Sequence, residues 1–228
     1  MAQAKKSAAA GARTGKAPAP APAPVRRDPE RTRARILEAA RIEFAQRGLG
    51  GARVDQITAR AGSNKRMIYY YFGNKEALFL AALESAYEHI RKAEQSLKLT
   101  DLDPVEGMRR MVRFTWEYYL AHPEFITLLN SENLHRARHL KRSKEIQALH
   151  SPLVAMLEDL LARGQRSGVF RRGVDAVQLY ISIAALGYFY LSNNHTLSTI
   201  FGRDLMRPQA LQQRLTHMTD LVLVYLSK

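Results

Sequence analysis

At 228 residues the chain has length for one sizeable core, or for a small module joined to a larger one. It contains no cysteine, which excludes disulfides, a thiolate nucleophile and cysteine-held metal, and no run of eighteen or more apolar residues, so no membrane-spanning helix is expected. Lys and Arg outnumber Asp and Glu by 35 to 21, and the surplus sits early: residues 1–27 carry six basic and no acidic groups, residues 28–75 ten and five, residues 76–228 nineteen and sixteen. Such a local excess suits a phosphate-bearing partner, because each cation that meets a phosphate releases condensed counterions. Lysines without an apolar h-region at the N-terminus do not read as a secretory signal, and a cytoplasmic protein is expected.

Residues 1–27 are Ala, Pro, Lys and Gly, with alternating Ala-Pro over residues 17–24, and are expected to form a disordered basic tail. Residues 28–75 read as one three-helix unit. Asp28 can cap a helix with Pro29 at its first position; Ile36, Leu37, Ala40 and Phe44 share one face, and Gly48 ends it. A short helix over about Val54 to Ala61 turns Val54, Ile57 and Ala61 inward. Gly62 permits the left-handed backbone of a sharp turn, and Asn64 is placed to cap the next helix. That helix offers Ile68 and Phe72 to the core and leaves Lys65, Arg66, Tyr69 and Tyr70 outside. Two short helices locked by a few apolar residues, with a polar start to the second, are the makings of a helix-turn-helix.

Residues 76–228 read as a second, helical domain, so the fold class is all-α. Leu78, Phe79, Ala82, Leu83, Ala86 and Ile90 form one stripe. Asp103-Pro104-Val105-Glu106 is a capping-box arrangement opening a helix with Met108, Val112, Thr115 and Tyr119 on one side. Pro123 starts another, and Ser151-Pro152 either starts a helix or kinks an existing one that runs to about Ser167. Residues 179–191 are apolar nearly all round, so that helix is expected to be buried on several sides. A last helix places Leu211, Leu215, Met218, Val222 and Tyr225 at spacings of four and three. These last two helices either close the monomer's own core or build a four-helix homodimer interface, and the second is the expectation.

The segment from Ile57 through Ala61-Gly62, Ile68-Tyr69-Tyr70-Tyr71-Phe72 and Lys75-Glu76-Ala77-Leu78 resembles the DNA-binding domain of the TetR (tetracycline repressor) family, over about residues 30–80. Two positions depart from the family pattern: Arg53 stands where Ser or Thr commonly caps the second helix, and Ser63-Asn64 replaces the frequent Val-Ser. The resemblance implies that Lys65, Arg66 and Met67 face the major groove, with Arg66 or Lys65 favouring guanine edges and Asn64 beside them among the DNA-binding residues. It implies that Tyr69 and Tyr70 touch phosphate or a thymine methyl, while Tyr71 packs. Arg53 would reach a phosphate, and Lys75 would hold one together with its amide. It further implies a ligand pocket in the remaining helices. There the runs Glu132 to Leu140 and Gly168 to Arg171 resemble a subgroup that includes regulators of nicotinate and pyrimidine breakdown.

Pocket candidates are Trp116, Tyr119, Phe125, Asn130, Asn133 and Tyr188, with Arg113 available to hold an anionic ligand. His135 and His139 would share a helical face, but Arg136, Arg138, Lys141 and Arg142 would repel a cation, so that run reads as a solvated basic helix and no metal site is expected. No glycine-rich phosphate loop follows a strand and no Gly-x-Ser-x-Gly elbow occurs; neither enzyme activity nor a cofactor is expected. The expected function is a dimeric repressor that binds a palindromic double-stranded DNA operator and is released by a small-molecule effector. The alternative is a sequence-nonspecific architectural protein that coats DNA through its basic tail.

Overall fold

The computed structural model describes residues 28–228, and the expected disordered tail of residues 1–27 lies outside them. Ten α-helices follow in order among the described residues, with no strand: α1 Pro29–Gly51, α2 Val54–Ala61, α3 Lys65–Phe72, α4 Lys75–Gln95, α5 Pro104–Ala121, α6 Pro123–Leu134, α7 Lys144–Arg166, α8 Ala176–Ser192, α9 Asn194–Phe201 and α10 Pro208–Leu226. Their starts follow capping chemistry. The carboxylates of Asp28, Asp103 and Asp175 accept backbone N–H bonds at the first turns of α1, α5 and α8, with proline at the first position of α1 and α5. Gly48 has φ +62°, outside the helical region, so the regular part of α1 ends there as its position in the sequence suggests.

α1 packs against α2, α4 and α6, while α5 packs against α7, α8 and α10. A single apolar cluster runs through both halves. Ile36, Ala40 and Phe44 of α1 meet Leu78, Phe79, Ala82 and Leu83 of α4, and the cluster continues through Met108, Met111, Val112 and Trp116 of α5. The edge-to-face contact of Phe44 with Phe79, ring centroids 5.1 Å apart, sits at the join between α1 and α4.

One open alternative closes and three expectations change. Pro152 lies inside α7, which begins earlier at Lys144 with Ser143 capping it, so the proline belongs to an existing helix and does not start one. α9 stands between the two C-terminal helices that the hydrophobic pattern places next to each other. On α10 the inward face is Leu215, Met218, Val222 and Leu226. Tyr225 is half exposed with the Arg171 guanidinium 3.8 Å above its ring, because the buried stripe advances by four residues at its last step instead of three. α8 packs against α5, α6, α7 and α10 and buries Leu179, Ile183 and Leu191, yet Ile181 and Phe189 stand more than half exposed, so its apolar circumference is only partly covered within one protomer.

Residues 132–140 are not a solvated basic helix. α6 stops at Leu134, Arg136 and Ala137 take positive φ, and the chain folds back on Glu132. The buried Glu132 carboxylate accepts the backbone N–H groups of His139 (2.8 Å) and Leu140 (2.9 Å) and pairs with His139 Nδ1 (2.6 Å). A desolvated carboxylate requires such partners, and gathering them from the following loop is incompatible with continued helix. His135 and His139 thus meet across a turn and share no helical face.

Candidate nucleic-acid interface

α2 has no side-chain cap, as Arg53 implies. The Arg53 N–H donates instead to Oε1 of Glu43, a buried carboxylate on α1 that also lies 3.4 Å from Arg47 Nε. Sequence reading missed Glu43; its signal is an acid on the buried side of α1, directly before Phe44. Gly62 takes the left-handed conformation (φ +56°, ψ +43°), and the N–H groups of Gly62 and Ser63 close on Ala59 and Thr58 carbonyls. Asn64 Oδ1 then accepts the Met67 N–H at 3.1 Å, which starts α3. Ile57, Ala61, Ile68 and Phe72 are buried and lock α3 across α2.

The outward side of α3 carries Lys65, Arg66, Tyr69 and Tyr70, the last 76% exposed. Arg53 and Asn64 are exposed beside them, whereas Met67 and Tyr71 are half-buried against the core. Met67 therefore presents only part of its side chain to a groove-facing surface. Lys65 Nζ lies 2.6 Å from Asp55 Oδ1 on α2; their hydrogen bond holds Asp55 below the usual carboxylate range and raises Lys65. Lys75 opens α4 behind the Asn74 cap, half-buried, with Nζ 3.5 Å from the Gly50 carbonyl. These groups put cations, phenols and the free amides of two helix N-termini on one side of the helix-turn-helix, an arrangement suited to phosphates and base edges.

The second region of interest is a cavity of about 500 Å³ among α4, α5, α6 and α8. Of the expected pocket residues, Tyr119, Phe125, Asn133 and Tyr188 line it. Asn130 lines a neighbouring cavity of about 270 Å³ and accepts a hydrogen bond from the Tyr188 hydroxyl. Trp116 is core, edge-on to Tyr190 at 5.6 Å, and lines neither cavity. Arg113 is on the surface, 3.8 Å from Glu117, because α5 turns its Met111, Val112 and Thr115 inward and Arg113 away from them. It lines neither cavity.

Tyr87 and Tyr180 also line it, with Leu129, Ile181, Ala184 and Ala185, and were not anticipated. Behind Tyr180 lies a buried ion pair on α4: Arg91 Nη1 to Glu94 Oε2 at 2.6 Å, with Nη2 donating to the Tyr180 hydroxyl at 2.8 Å. Burial pushes Glu94 up to about 7 against the opposing pull of Arg91, and pushes Tyr87 up to about 12. The signal was present: Tyr87, Arg91 and Glu94 recur at spacings of four and three along the apolar side of α4.

Residues 36–82 match the family described as bacterial regulatory proteins, tetR family, and residues 104–222 match the tetracyclin repressor-like C-terminal domain. The HTH-type transcriptional repressor NicS of Pseudomonas putida is 44% identical over 194 residues, 85% of this chain and 92% of that one. The HTH-type transcriptional repressor SCO4008 of Streptomyces coelicolor is 37% identical over 163 residues, 70% and 78% of the two chains. The crystal structure of a transcriptional regulator, SCO4942, from Streptomyces coelicolor superposes with a TM-score of 0.62 at 26% identity, covering 84% of this chain and 96% of that one. No helix of the described residues is long and apolar enough to cross a membrane.

Proposed function

The chain belongs to the TetR family of bacterial DNA-binding transcriptional regulators, and from that premise we propose that it represses transcription as a homodimer on a palindromic operator and releases it when a small molecule fills the α4–α8 cavity. Each protomer presents α3 to one half-site, with Arg66 on a base edge and Arg53, Tyr69, Tyr70 and Lys75 on the flanking backbone. The dimer forms through α8 and α10, whose apolar Phe189, Leu221 and Val224 are uncovered in one protomer.

The observation that carries the reading is that α6 joins the cavity to the helices that carry the helix-turn-helix. Phe125, Leu129 and Asn133, four residues apart, line the cavity from one side of α6. From its other side Ser131 Oγ accepts the Leu49 N–H at the end of α1 (3.1 Å), and Glu124 pairs with Arg41 of α1 at 3.2 Å. Glu132 anchors His139, whose ring packs edge-on to Phe79 of α4 at 5.2 Å, and Arg138 pairs with Glu76 beside Lys75. A ligand that prefers one setting of α6 therefore favours one placement of α1 and α4, and its leverage on DNA equals that preference.

Selection of genomic fragments by the purified protein at near-physiological salt tests the proposal. A single palindromic motif is expected, with affinity that falls on adding the cognate ligand. Binding without a motif, following salt alone, would overturn it in favour of the architectural coat.

A further inference from the structure

The α4–α8 cavity is walled by rings. Tyr87 meets Phe125 edge-to-face at 5.4 Å, and Tyr119 lies nearly parallel to Phe125, 21° between planes at 6.0 Å. Ring faces and edges set at right angles accept another flat ring on any side, whereas a flexible aliphatic chain gains only area from them. Charge is absent from the lining: among the described residues around this cavity there is no Lys, Arg, Asp or Glu. The nearest ion pair, Arg91 with Glu94, is committed to itself and to Tyr180. A ligand ion would enter without a partner and be penalised by its lost hydration.

The polar groups among its lining residues have a defined sense. Burial raises Tyr87, Tyr119 and Tyr180, so the phenols stay protonated. The Tyr180 oxygen already accepts from Arg91, which leaves its hydrogen as the group to donate and strengthens that donor. Asn133 adds a side-chain amide at the α6 wall.

Resting on the reading of this cavity as the effector site, we propose that the effector is an uncharged, planar aromatic molecule that carries a hydrogen-bond acceptor, received by Tyr180 with Tyr87, Tyr119 and Phe125 as its walls.

Four matched probes test each part on the full-length protein by equilibrium dialysis: 2-acetylnaphthalene (flat, neutral, acceptor), naphthalene (no acceptor), 2-naphthoate (anion) and 2-undecanone (acceptor, not flat). The expected result is that 2-acetylnaphthalene binds about tenfold or more tighter than any of the others. Tyr180→Phe should cancel its advantage over naphthalene. Ala184→Trp, which fills the cavity from α8, should abolish binding and remains informative if the loss of an Arg91 partner unfolds the first variant. Tighter binding of the anion or the ketone chain, or no binding by any probe, would overturn the inference.

Operator affinity measured beside each probe separates this inference from the function it rests on. A naphthoate or undecanone complex that loosens operator DNA leaves the effector reading standing and removes the aromatic class. A tight 2-acetylnaphthalene complex whose operator affinity is unchanged leaves the pocket chemistry standing and counts against effector control.

Discussion

The helix-turn-helix and the cavity domain solve opposite problems with the same helical parts. In α2 and α3 the proposed DNA contacts point outward, and four apolar anchors behind them suffice to hold the geometry. Around the cavity the proposed ligand contacts come from four helices, and their polar atoms must be satisfied by one another. The first region tolerates change at its working surface because water can replace a lost partner. The second cannot, since a removed group leaves its neighbour buried and unpaired.

That contrast can be broken or sharpened by measurement. The largest stability effect is expected at the join between the regions. Glu132→Ala strips the hydrogen bonds from His139 and Leu140 and should cost about 3 kcal/mol in urea unfolding. Arg66→Ala, by contrast, should leave unfolding unchanged and weaken operator binding by about 1–3 kcal/mol, with little effect on unrelated DNA. Equal losses on both DNAs would show that Arg66 touches only phosphate.

Acidity provides a third comparison. The Glu94 carboxyl rises from an ordinary 4.5 to about 7 in the fold, so between those values the native state binds the extra proton. Stability should therefore fall as pH rises from about 4.5 to 7, by on the order of 2 kcal/mol, and Glu94→Gln should flatten this slope. An unchanged slope in the variant would place the titrating group elsewhere. The smallest effect belongs to the exposed pair on the helix-turn-helix. Asp55→Asn frees Lys65 for phosphate, which should leave the melting temperature in place and steepen the salt dependence of DNA binding by about one ion per protomer.

The same contrast explains what could be read from the sequence. The turn at Gly62, the Asn64 cap and the inward Ile57, Ile68 and Phe72 are local decisions, made within a few residues, and the structure agrees with each. The surface groups Lys65, Arg66, Tyr69 and Tyr70 follow from those anchors by helical geometry alone. Tyr180 and Tyr87 meet across a separation that no periodicity encodes, and whether a tyrosine on an apolar face borders space or fills it depends on neighbours from other helices. Arg113 and Trp116 illustrate the failure in both directions: one turns out to solvent, the other is sealed in the core. The loop after Leu134 was misread because a buried glutamate can collect backbone donors as readily as side-chain ones. α9 was missed because its eight residues bury none of their side chains fully and so carry no inward stripe.

Trp116 has a use independent of any role in binding. It is the chain's sole indole, 2% exposed, edge-on to Tyr190 of α8, on a helix that also packs α7 and α10. Sealed from water, it should emit at the blue end of the tryptophan range and resist collisional quenchers such as acrylamide, with nearby phenols feeding it energy after shorter-wavelength excitation. Native protein thus carries an optical gauge of the α5–α8 seam, readable without a dye, in which a red shift reports that the helices have parted.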